Sequence, residues 1–141
     1  MAAIVIFKGI RWSKDDMDML LEVVVVPVSD IDKAKEYYAD NLGFKVDMDV
    51  NMEDKRLVQL TPAGSSCSIH IGQNITDMTP GSVKGLILVV KDAAAAKKEL
   101  DDKGVETGEI EEFPWGKHVN LTDPDGNTLT IQESFARNKK S

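Results

Sequence analysis

The sequence predicts an α+β fold built from two paired βαβββ modules. Three observations carry this. Residues spaced as a helix cap, a helix stop, a strand and a hairpin recur at a near-constant offset of 61–62 positions. Asp123-Pro124-Asp125-Gly126-Asn127 is a turn signature flanked by alternating runs, Val119-Asn120-Leu121 before it and Leu129-Thr130-Ile131-Gln132 after it, which reads as a β-hairpin. Each half also opens on a β-branched run followed by an acidic helix start.

Taken in order, Met1 to Met19 has no counterpart in the repeat; Ile4-Val5-Ile6-Phe7 within it reads as an extra edge strand or arm. Leu20 to Val28 is nearly continuous and β-branched, hence a buried strand. Ser29, with Asp32 three residues on, forms an S-x-x-D box that starts a helix. Ile31, Ala34, Tyr38 and Leu42 fall at helical spacing, and Gly43 suits the position after the last turn. Lys45 to Val50 alternates, which places Val46, Met48 and Val50 on one side; Arg56 to Thr61 and Cys67 to Ile71 supply two more strands. That completes a first module over residues 20–72. A polar linker, 73–81, ends in Pro80-Gly81.

The second module, 82–134, repeats the order. Val83 to Val90 is a strand, Asp92 caps a helix with Ala93, Ala96 and Leu100 inward, and Gly104 ends it. Val105 to Phe113 is strand-like but acidic, and its Glu106, Glu109, Glu111 and Glu112 read as a solvated face. Pro114-Trp115-Gly116 turns the chain into Lys117–Thr122 and the hairpin. Asp30, Ala34 and Lys35 match Asp92, Ala96 and Lys97; Val58 and Leu60 match Val119 and Leu121; Ser68, Ile69 and His70 match Thr130, Ile131 and Gln132. Residues 135–141 are a short basic tail.

The bulk numbers fit a globular domain, with 42% hydrophobic and 29% charged residues. A net charge of −7, without a basic stripe, argues against nucleic-acid binding. The single cysteine, Cys67, excludes an intrachain disulfide framework and a multi-cysteine zinc site, so a reducing, cytoplasmic location is expected. No apolar run is long enough to span a membrane, and Ala2 to Phe7 is too short for a signal-peptide core.

The two βαβββ modules, the V-x-D helix start, Tyr37-Tyr38 before Leu42-Gly43-Phe44, and the D-P-D-G-N hairpin together resemble the vicinal-oxygen-chelate superfamily. That group includes glyoxalase I, extradiol dioxygenases and bleomycin-resistance proteins. The stretches Glu22 to Asp30 and Pro114-Trp115-Gly116 look like bacterial glyoxalase-like proteins of unassigned function. The resemblance covers residues 20–134 and implies curved mixed sheets around a cleft, with the helices outside.

Catalytic members hold a divalent metal with one residue from each of four strands. Carried onto this sequence, those positions are Val23, Ser68, Gly85 and Thr130. None is a customary metal ligand, so no cofactor is expected and metal-dependent lyase or dioxygenase chemistry is the secondary expectation. By strand parity the cleft floor carries Val23, Val25, Ile87 and Val89, with Ser68, His70, Thr130 and Gln132. Apolar side chains with a few hydrogen-bonding groups make a small-molecule site. The absence of Arg and Lys from these floor positions points to a neutral, partly aromatic ligand.

Several residues admit more than one role. His70 is either a hydrogen-bonded strand histidine, a ligand contact or, as the candidate catalytic residue, a proton-transfer group. His118 faces the cleft with Asn120 and Thr122 if Val119 and Leu121 face the helices. A hidden metal site would need His70 and His118 to converge with Glu112 or Glu133. Cys67 shares the parity of Ile69 and Ile71, so an inert thiol is its default and a nucleophile the alternative. Trp115 either packs or covers a ligand or a dimer partner. The expected partners are a small-molecule ligand and a second copy of the chain.

Overall fold

The computed structural model describes residues 14, 15 and 17–135. The arm at Ile4–Phe7 and the basic tail lie outside the described residues. The first module runs β1 (Val23–Val25), α1 (Ile31–Lys35), a π-helical turn (Glu36–Asn41), β2 (Lys45–Met52), β3 (Lys55–Thr61) and β4 (Ser68–Gln73). The second runs β5 (Lys84–Val90), α2 (Ala93–Asp102), β6 (Glu111–Phe113), β7 (Gly116–Thr122) and β8 (Thr128–Ser134). Each module forms one four-stranded sheet, ordered β1-β4-β3-β2 and β5-β8-β7-β6. β1 and β5 lie parallel to β4 and β8, and the remaining pairs are antiparallel. This is the α+β architecture of paired modules that the repeat predicts.

The differences from the sequence reading have local causes. The first strand is shorter than Leu20 to Val28. Leu20 and Leu21 are exposed, and the ladder stops before Pro27, which has no N–H to give it. Asp30, not Ser29, caps α1: its Oδ1 accepts from Lys33 N at 3.1 Å. Ser29 instead directs both its backbone N–H and its hydroxyl to Asp125 Oδ1, at 3.1 and 2.5 Å. In β2 a bulge at Asp47 shifts the register, so that Val46 lies opposite Leu60 and Met48 opposite Gln59. Val46 and Met48 therefore point to opposite faces, not to one. Of Val105 to Phe113, three residues form a strand, and Thr107 adds one bridge to Leu121. The acidic residues between them are exposed and have no apolar face to bury.

The helix sides of both sheets share one apolar cluster. Tyr38, Leu60, Ile71, Leu121 and Leu129 are its largest fully buried aromatic and aliphatic members. Each such leucine or isoleucine contributes about 1.5–3 kcal/mol of burial. Leu42 N donates to Tyr37 O at 3.0 Å, the wide spacing of a π-turn, which carries Tyr37 and Tyr38 together into the interior.

A polar clasp joins the modules. The Asp123 carboxylate accepts from Asp125 N, Asn127 N, Asn127 Nδ2 and Tyr38 Oη at 2.8–3.0 Å. Asn127 Nδ2 also donates to Pro27 O at 2.9 Å, and Asn127 Oδ1 accepts from Val83 N at 3.0 Å. The hairpin turn of the second module thus reaches the π-helical turn of the first and Pro27, just past β1. Gly81 packs so closely here that a Cβ would sit 2.1 Å from Asp125 O, and its φ of +84° suits glycine alone.

Candidate functional site

The face of each sheet turned away from the core carries a ladder of cross-strand neighbours. In the first sheet its middle rung is Val25, His70, Gln59 and Met48. In the second it is Val89, Gln132, His118 and Glu111. Each rung holds a histidine bonded to a glutamine, with the two types exchanged between the inner strands. His70 Nε2 lies 2.9 Å from Gln59 Oε1, and His118 Nε2 lies 2.9 Å from Gln132 Oε1. The opposite parity is buried: Val58, Leu60, Val119 and Leu121 face the core. His118, Asn120 and Thr122 accordingly share the outward face.

His70 is half-buried. Burial pushes its pKa down, and the Glu22 charge opposes this only in part. The ring is therefore neutral near pH 7. With Gln59 Oε1 as acceptor, the proton sits on Nε2 and Nδ1 keeps its lone pair. Gln59 itself is 4% exposed. In the second sheet, Ile87 and Val89 are 56% and 47% exposed, so this face stands open in the single chain.

An adjoining rung completes each ladder. Val23 lies opposite Ser68, whose hydroxyl is 2.5 Å from Thr61 Oγ1; that hydroxyl in turn bonds Asp47. Ile87 lies opposite Thr130, which donates to Asn120 Oδ1 at 2.9 Å. Gly85 is not Thr130's neighbour: it is set in a bulge at φ +137°, between Lys84 and Leu86. The structure thus joins Val23 to Ser68 but separates Gly85 from Thr130. Val23 and Gly85 offer no donor atom, and both hydroxyls already have partners. This set does not fit a divalent metal. Glu133 is turned away to accept from Ala93 N at the start of α2, and Glu112 pairs with Lys117 on the other parity. Neither converges with the histidines. Among the described residues no group of three or more His, Cys, Asp or Glu is placed to hold a metal ion.

Trp115 sits at the tip of the β6–β7 turn, 56% exposed. Its ring stacks on Phe113, with centroids 5.1 Å apart and planes 10° from parallel, and Phe113 also meets the His118 ring at 4.8 Å. Cys67 is a half-buried free thiol just before β4, with Sγ 3.8 Å from Ser68 O. The Tyr37 hydroxyl is buried near Asp123, and burial first, then that charge, push its pKa up to about 12. It stays protonated, as does Tyr38.

Sequence reasoning missed Met48, Gln59, Phe113 and Glu111. Gln59 and Phe113 could have been found by carrying strand parity across the ladder from His70 and His118. Met48 could not, because the bulge reverses its face. Lysines also reach these faces at the strand ends: Lys45 pairs with Thr61, Lys55 with Met52 and Lys84 with Thr128. The floor lacks basic residues, but the rim does not.

A groove of about 650 Å³ lies between the Pro62–Ser66 loop and the edge strand β5, lined also by Phe44 and Leu100. It contains neither His–Gln pair, but Ile87 and Val89 line it, so it adjoins the open face of the second sheet. Among the described residues no helix is long and apolar enough to cross a membrane.

Comparison with known proteins places this geometry. A family model described as glyoxalase superfamily protein matches residues 14–138. The crystal structure of TnmS3, an antibiotic binding protein from Streptomyces sp. CB03234, is 32% identical, with a TM-score of 0.77 over 83% of this chain and 97% of that one. A glyoxalase/bleomycin resistance protein/dioxygenase superfamily member from Sphaerobacter thermophilus is 28% identical, with a TM-score of 0.74 over 83% and 98%. The protein YetH of Bacillus subtilis is 27% identical over 78% of this chain and 94% of its own length. With a family model matching residues 14–138 and a structural relative 32% identical over most of both chains, this chain belongs to the glyoxalase superfamily, the group of glyoxalases, bleomycin-resistance proteins and dioxygenases.

Proposed function

We propose that the protein is a metal-free binder of a small, neutral, partly apolar molecule, held against the outward sheet faces and completed by a second copy of the chain. The observation that carries this is the open second face. Ile87 and Val89 are half exposed beside the Gln132–His118 pair, the mix of apolar floor and few polar groups that small-molecule sites use. TnmS3, similar over most of the chain, is an antibiotic binding protein. Among the described residues the ladders join strands only within each sheet, and β1 and β5 are both edges. Two copies can therefore join β1 of one to β5 of the other twice, in an isologous dimer.

A thermal-shift screen of neutral and anionic compounds tests the binding. Neutral, partly apolar hits should dominate, and their shifts should shrink in His70→Ala and Gln132→Ala. Anionic hits, or shifts indifferent to both changes, would overturn it. Sedimentation tests the assembly: the wild type should be a dimer, and Ile87→Glu with Val89→Glu a monomer.

A second reading, metal-independent proton transfer by His70, draws support from its neutral ring and the lone pair on Nδ1. Turnover abolished in His70→Ala, with binding retained, would select it.

A further inference from the structure

The geometry points to Asp47 as the residue that sets the hydrogen-bonding sense of the first outward face. It turns that face into a strip of acceptors, which selects a ligand carrying hydroxyl or N–H donors over one carrying only ether or carbonyl oxygens. This rests on the binding reading above and narrows its ligand class.

The sense follows from where the protons go. A carboxylate accepts and does not donate. The Thr61 hydroxyl bonds the Asp47 carboxylate, so its one proton is directed there. Thr61 Oγ1 also lies 2.5 Å from Ser68 Oγ. With the Thr61 proton already committed, Ser68 is the donor of that pair. Both hydroxyl protons thus run toward Asp47, and Thr61 and Asp47 are left with lone pairs. Two residues along β4, His70 follows the same rule: its Nε2–H donates to Gln59 Oε1 at 2.9 Å, and Nδ1 remains an acceptor.

Exposure divides the roles. Ser68 is 2% exposed and serves as a positioning residue. Asp47 is exposed, and Thr61 and His70 are half-buried, so a ligand meets these three. Asp47 is the extra residue of the β2 bulge, between Val46 and Met48, and the bulge aims its side chain at Thr61. Thr61 and His70 are diagonal neighbours across β3 and β4, roughly 7–8 Å apart, a span that the two hydroxyls of a bicyclic diol cover. The second face has no such anchor. There Thr130 donates to the Asn120 amide, and an amide carries both a donor and an acceptor.

The test measures naphthalene-2,6-diol and its dimethyl ether by calorimetry on the wild type, D47N, T61V and S68A. The wild type should bind the diol about tenfold more tightly, the yield of two added hydrogen bonds. In D47N an amide N–H can donate to Thr61 and release the Thr61 proton toward the ligand. The ether should then gain, and the ratio should fall to about threefold. T61V should produce a similar fall by weakening the diol alone. S68A leaves Asp47 and Thr61 in place and should keep the ratio within about twofold. If the wild type binds both compounds equally, or if the ratio survives D47N, the inference is refuted and the binding reading stands. Should D47N fail to fold, a ratio unchanged in T61V refutes it just as well. If the wild type binds neither compound, the binding reading fails with it.

Discussion

The two modules share a plan and differ in what secures it. In the first, the helix is tied to its sheet by charge: Arg56 bridges Asp49 and Asp32 at 2.8–3.0 Å, and Lys35 joins Asp49 at 2.9 Å. The paired cations hold the Asp49 carboxyl well below the usual range. In the second, Lys97 takes the corresponding place but donates to Thr107 Oγ1 and Gly108 O, with only a looser pairing to Asp101 at 3.3 Å. The outward faces diverge in the same way. The first is mostly aliphatic around His70–Gln59, while the second sets Ile87 and Val89 beside polar side chains and an aromatic step. The two modules keep their buried parity and a His–Gln pair on each outward face, and vary most of what surrounds that pair.

The largest expected break in this comparison lies in the loops that close the last hairpins. Asp123→Ala should lower stability by about 3 kcal/mol in urea unfolding, because it strands four donors, three of them on the buried Tyr38 and Asn127. The matching loop of the first module has only exposed local bonds from Ser65, and Ser65→Ala should cost under about 0.5 kcal/mol. Equal losses would show that the clasp is not what sets the second hairpin apart.

Next come the cations. Arg56→Ala should cost about 1–2 kcal/mol, since it leaves a half-buried carboxylate poorly paired, while Lys97→Ala should cost under about 1 kcal/mol. The same unfolding assay ranks them.

The smallest effect is on pH. His70 is held neutral in the fold, so its folded pKa lies below the unfolded value of 6.5. Above that value neither state is protonated and the group adds nothing. As pH falls through it, the unfolded chain gains the proton first and stability drops. Unfolding free energies measured between pH 7.5 and 5 should decline in the wild type and flatten in His70→Gln. The Asp49 contribution is present throughout that window, because its depressed pKa defers any loss to stronger acid.

Much of this was legible in the sequence, for physical reasons. The turn at Asp123–Asn127 and the cap at Asp92 rest on local chemistry, and strand parity placed His70, Gln132 and His118 on outward faces. What parity cannot give is register. Gln59 lies opposite His70, but its repeat counterpart Asn120 lies opposite Thr130, not Gln132. By sheet position, His70 answers to Thr130, two residues short of its match by sequence. An even slide leaves every side chain on its own face, so the alternation shows no trace of it. The Asp47 and Gly85 bulges are equally silent, because a bulge depends on the partner strand. Ser29 misled for a similar reason: its hydroxyl is drawn to Asp125, 96 positions away, which no local box can show.

The clasp also bears on the order in which the chain can finish folding. Tyr38 belongs to the first helical segment, and its hydroxyl finds its acceptor only in Asp123. Pro27 O, at the end of β1, waits for Asn127 and Gly81. During synthesis the N-terminal half emerges first but lacks the groups that satisfy its own interior. It cannot mature as an independent unit; the final hairpin is the piece that locks it. A premature stop just before Asp123 would therefore leave a fragment that collapses without settling, even though every residue of the first module is present.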